Sequence, residues 1–87
     1  MTLKEFKAKA KTLGAQVKTV NSEYWGKSWC EAVFSSPVIS LQIRFEENQP
    51  ATCRVLGKND NFVSPVELRQ SVTLYENVAA FLTTVNG

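Results

Sequence analysis

The side chains able to do chemistry in this 87-residue chain are few, and a missing one narrows the field most. There is no histidine. That removes the commonest general base, every Ser-His-Asp or Cys-His constellation, and the commonest zinc ligand. The two cysteines, Cys30 and Cys53, are too few for a four-ligand zinc site. Both read as inward-facing free thiols, and neither has a histidine to activate it as a nucleophile. Glu46 and Glu47 are adjacent at a strand end, point to opposite sides, and read as solubilising a turn. Gly26-Lys27-Ser28 is not a phosphate-binding loop, because Asn21 stands where that motif needs glycine. The residues therefore argue against an enzyme, and no metal or cofactor is implied.

What remains is binding chemistry. Arg44 and Arg54 take the polar phase of alternating runs, Ile39–Phe45 and Cys53–Val55, and Arg69 does so in Val66-Glu67-Leu68-Arg69. If all three runs are strands, the arginines share the sheet face that the core does not use. That face would also carry Trp29, Glu31, Gln42, Thr52 and Glu67. One reading is a platform for single-stranded nucleic acid, with arginines on phosphates and Trp29 under a base. The other is a solvated face neutralised across strands, Glu31 beside Arg44 and Arg54 beside Glu67.

Lys4, Lys7 and Lys11 form a second basic group, on one side of a first helix, able to track phosphates or to serve as its wet face. Tyr24-Trp25-Gly26-Lys27-Ser28-Trp29 is the most unusual stretch. Tryptophan and tyrosine dominate binding hot spots, so Tyr24, Trp25, Lys27 and Trp29 are candidate protein contacts. The same rings could instead cover one end of a small core.

These residues need elements to hold them. Thr2-Leu3-Lys4-Glu5 is a capping box, and Leu3, Phe6, Ala10, Leu13 and Val17 recur at helical spacing. Gly14 then supplies a helix stop, which predicts a helix over 3–13. Residues 17–20 predict a short strand, and 21–28 a loop. Strands follow over 29–34, 38–46 and 51–56, separated by turns at Ser35-Ser36-Pro37 and Glu47-Asn48-Gln49-Pro50, with a further turn over 57–61. Beyond it two helix starts compete, Ser64-Pro65-Val66-Glu67 and Thr73-Leu74-Tyr75-Glu76. Leu74, Val78, Phe81 and Val85 form one stripe with Leu82 beside it, whereas Val66, Leu68 and Val72 alternate with Glu67, Arg69 and Ser71. The alternation predicts a fifth strand over 62–72, with Thr73 capping a helix over 74–84. The alternative is one helix over 65–84.

The order is α-β-β-β-β-β-α with short connections, which gives antiparallel pairing and two helices on one sheet face: a two-layer α+β sandwich in a single domain. Net charge is +2, concentrated in residues 1–27. No run approaches the roughly 20 apolar residues of a membrane span, and no secretory signal pattern opens the chain, which places it in the cytoplasm. The expected function is a small non-enzymatic regulatory module that binds a protein partner or itself. The alternative is a nucleic-acid-binding protein using Arg44, Arg54, Arg69, Lys4, Lys7 and Lys11.

Overall fold

The computed structural model describes residues 1–58 and 64–87. Six elements follow in order: α1 (Leu3–Thr12), β1 (Gln16–Ser22), β2 (Lys27–Ser35), β3 (Ile39–Phe45), β4 (Thr52–Lys58) and α2 (Pro65–Asn86). The strands form one antiparallel meander, β1-β2-β3-β4, and the two helices cover one of its faces. The architecture is the two-layer α+β sandwich that the sequence predicts, with four strands among the described residues.

α1 begins where the capping box places it. Thr2 Oγ1 accepts from the Glu5 amide at 3.1 Å. The Glu5 carboxylate accepts from the Thr2 hydroxyl at 3.2 Å rather than from the Thr2 backbone. A second carboxylate completes this end: Glu47, in the β3–β4 turn, accepts from the Leu3 amide at 3.0 Å. Glu47 thus satisfies an orphan helix donor and sits at the positive end of the helix, which is more than solubilising a turn. Gly14 stops the helix at φ +87°, a conformation that strains residues with a Cβ. Leu13, the C-cap, is half-exposed and leaves the predicted stripe.

Phe6 of α1 and Phe81 of α2 meet on the inner face of the sheet. Phe6 stacks on Phe45 with centroids 4.8 Å apart, and Phe81 lies 5.5 Å from Phe6 and 6.1 Å from Phe34. Ala10, Cys30, Ala32, Leu41, Ile43 and Val78 close the cluster. α1 rests on β1 and β2, and α2 on β2 and β3. β4 consequently lies outside the main contacts of both helices, and no residue of it is buried. The pairing also shifts between Ser40 and Leu41, whose partners are Gly57 and Val55, so Leu56 has no partner on β3. Cys53, expected inward, shares the phase of Ile43 but lies exposed for this reason.

The second correction concerns residues 65–72. They are not a fifth strand but the first two turns of α2, which runs unbroken from Pro65. Ser64 is the N-cap, its hydroxyl accepting from the Glu67 amide at 3.2 Å, with proline following at the first turn. Thr73 is an interior helical residue. Ser71 Oγ meets Ser36 Oγ at 2.9 Å at one end of α2, and Asn86 bonds both backbone groups of Ala51 at the other. The predicted turn beyond Lys58, and residues 62 and 63 of the predicted strand, lie outside the described residues.

Candidate binding surface

The outer face of the sheet is built by the alternation that the sequence shows. Glu31 pairs with Arg44, Gln42 with Arg54, and Arg44 with Thr52 across the ladders, so these side chains share one phase. On the other side Lys18 pairs with Glu31 and Val20 with Trp29. Of the predicted neighbours, Glu31 and Arg44 are therefore in register, but their chemistry differs from simple ion pairing. The Arg44 guanidinium lies over the Trp29 ring, 4.1 Å from its centroid. This cation–π stack holds the positive charge on the surface without cancelling it.

Glu31 is occupied elsewhere. Trp29 Nε1 donates to one carboxylate oxygen at 3.0 Å, and Gln42 Nε2 donates to the other at 3.2 Å. Gln42 passes the connection on, its Oε1 accepting from Arg54 Nε at 2.7 Å. Gln42 is only 8% exposed, so the centre of this face is a fixed polar chain rather than a set of mobile side chains. Its importance was not legible from residue type, because a neutral amide in a strand gives no charge signal.

The β1–β2 hairpin overhangs one end of this face. Gly26 turns at φ +64°, the Trp25 amide donates to Ser22 Oγ at 3.3 Å, and Ser28 Oγ donates to Asn21 Oδ1 at 2.6 Å. The tip so held presents Tyr24 at 86% and Trp25 at 68% exposure. The two rings meet edge to face with centroids 4.8 Å apart. They do not cover the core. Trp25, Lys27, Trp29 and Arg44 line an open depression of about 360 Å³. Arg44 also borders a second hollow of about 210 Å³ with Glu31, Gln42, Thr52 and Arg54. Lys27 reaches Glu46 at 3.8 Å, which gives Glu46 a partner rather than a merely solubilising place.

The structure thus brings Tyr24, Trp25, Lys27, Trp29, Arg44 and Arg54 to one surface, merging two groups that the sequence treats separately. Arg69 does not join them. It lies on α2, in the helical layer, because its segment is helix and not strand. Glu67 likewise belongs to the first turn of α2 and does not pair with Arg54. Lys4, Lys7 and Lys11 lie on α1, also in the helical layer.

Partial desolvation of the exposed Cys53 thiol raises it above its ordinary value, so it is protonated at neutral pH and a poor nucleophile. What the outer face can do is place rigid rings, a stacked guanidinium and an ammonium group side by side. No family model matches the chain, and no curated protein or solved structure matches it either.

Proposed function

We propose that this chain is a non-enzymatic, cytoplasmic interaction module that regulates a protein partner by binding it through the outer sheet face and the β1–β2 tip. One observation carries the reading: Trp25, Lys27, Trp29 and Arg44 line a single open depression, with Tyr24 packed edge-on against Trp25. Tryptophan, tyrosine and arginine are the residues most enriched at the energetic centres of protein interfaces. Here Tyr24 and Trp25 stand exposed on a hairpin braced by its own hydrogen bonds, and Arg44 is held on Trp29 beside them, so little ordering cost attends binding. The carboxylates on this face, Glu31 and Glu46, are already engaged. The chemistry that fits is an apolar anchor flanked by acidic groups on the partner. Two unpaired cysteines accord with a reducing compartment.

The nucleic-acid reading draws support from Arg44, Arg54 and Trp29 on one face, but loses Arg69 and the α1 lysines to the helical layer. The test is affinity capture from nuclease-treated lysate of the source cells, with wild type beside a Trp25→Ala, Arg44→Ala double variant. A protein retained by wild type is expected to bind the variant at least about 30-fold more weakly when purified and titrated, as loss of about 2 kcal/mol requires. Equal retention by both proteins refutes the proposed surface. Retention in untreated lysate that is lost after nuclease treatment favours the nucleic-acid reading.

A further inference from the structure

α2 carries two apolar stripes, and its own fold uses one. Ser71, Val78 and Phe81 are buried against the sheet, with Leu74, Leu82 and Val85 beside them. Leu68, Val72, Tyr75 and Ala79 follow one another at spacings of four, three and four. At about 100° per residue they lie on one line, roughly a quarter turn from the buried face. All four are exposed: Leu68 52%, Val72 50% and Tyr75 60%, with Ala79 in the same class. Alternating four- and three-residue spacing is the seam by which one helix packs along another.

The charges beside this seam select its occupant. Arg69 follows Leu68 by one position, and Glu76 follows Tyr75 by one, so both lie on the same flank. Neither has an opposite charge three or four residues away on its own helix. Among the described residues neither makes an ion pair. The other flank holds Ser71 and Val78, which face the sheet. In antiparallel seams like flanks meet. A second α2 running antiparallel therefore brings Arg69 of each copy against Glu76 of the other, twice about one two-fold axis. The same register sets Leu68 opposite Ala79 and Val72 opposite Tyr75, large against small. A parallel pair would set Arg69 and Glu76 against Ser71 and Val78, which the fold has already buried.

We propose that the chain self-associates as a two-fold dimer through this seam, with α2 packed antiparallel against α2 of a second copy. Both helices are already held on their sheets, so pairing does not have to nucleate them. The seam is about two heptads long, which puts the contact at the small end of specific interfaces, among weak and transient ones. This surface lies in the helical layer and stands independently of the outer-face reading.

Sedimentation of the full chain from about 1 to about 300 µM tests it, a range that brackets a contact of this size. Wild type is expected to pass from 9.7 kDa to twice that mass. Val72→Glu with Tyr75→Glu is expected to stay monomeric throughout while keeping the wild-type circular dichroism, since both sites are exposed. Arg69→Glu places glutamate against glutamate at both contacts and is expected to weaken the dimer about tenfold or more. Arg69→Glu with Glu76→Arg reverses both pairs and is expected to return to within about threefold of wild type. A wild type monomeric at every concentration overturns the proposal, as does a dimer that survives the Val72 and Tyr75 changes. Failure of the double reversal to restore what Arg69→Glu removed overturns the antiparallel register.

Discussion

Two substitutions on α2 move stability in opposite directions if the helix starts at Ser64. In Ser64→Ala the Glu67 amide loses its acceptor, now at 3.2 Å, and an N-cap of this kind contributes about 1 kcal/mol. Pro65 has no amide to satisfy, and Ser64 caps the donor of the third position, Glu67. An 87-residue domain unfolds with an entropy near 2.1 cal/mol/K per residue, so about 1 kcal/mol lowers Tm by roughly 5 °C. Thr73 is exposed in the ninth position of the helix. Replacing it with alanine removes a branched residue from a helix interior, which stabilises by about 0.5 kcal/mol and raises Tm by roughly 2–3 °C. Ser64→Asp keeps an acceptor at the cap and is expected to melt near wild type.

Thermal melts followed by circular dichroism at 222 nm, with urea titrations of the same proteins, measure all three. If the helix started at Thr73, the signs would reverse: Thr73→Ala would lose the cap and Ser64→Ala would cost little. A Thr73→Ala variant less stable than Ser64→Ala would therefore refute the assignment of residues 65–72 to α2. It would also dissolve the seam built on Leu68 and Val72.

Further predictions concern the core, the C-terminal anchor and the thiols. Phe81→Ala empties the space between Phe6 and Phe34 and should cost about 3–5 kcal/mol, a large part of a small domain's stability, read as a fall in the urea midpoint. Asn86→Ala leaves the amide and carbonyl of buried Ala51 without their partners at 2.7 and 3.1 Å. The cost should be about 1–3 kcal/mol, with faster hydrogen exchange at the Ala51 amide. Native iodoacetamide labelling should modify Cys53 and spare Cys30, which is 1% exposed, until urea unfolds the chain. Partial desolvation raises the Cys53 pKa, so its labelling should rise only in more alkaline solution than an unfolded thiol needs. The sign for stability follows: the folded state holds that proton longer, so this site lowers stability as pH rises from the unfolded thiol's range through the folded one. Cys53→Ser should remove that alkaline component from the pH dependence of Tm.

Most of the sheet was legible because strand phase is strict. Ile39, Leu41, Ile43 and Phe45 could face only one way together, and the pairing of Arg44 with Glu31 followed from short connections, whereas Arg54 pairs with Gln42 and not with the expected Glu67. The details of the outer face were not legible. Register puts Glu31 beside Arg44 but does not say which donor reaches the carboxylate. Trp29 and Gln42 take it, and Arg44 settles on the indole ring. The exposure of Cys53 was hidden for another reason. Two helices suffice to cover a sheet only where they lie, and nothing in β4 itself reveals that they lie over β1, β2 and β3.

The misreading at residues 65–72 has a single cause. Pattern reading assumes that apolar residues mark the inside. In the first half of α2 the buried position is Ser71, whose hydroxyl is satisfied by Ser36 and by the carbonyl of Glu67. Val66, Leu68 and Val72 are all half-exposed or more. Read as core, they fit a strand, since they cannot share a helical stripe with Leu74 and Val78. Read as surface, Leu68 and Val72 line up with Tyr75 and Ala79 as a second stripe. The residues that broke the core pattern are thus the ones that the monomer does not need. Apolar side chains held at seam spacing on a preformed helix, with Arg69 and Glu76 placed to pair across a two-fold axis, are what a contact between copies requires.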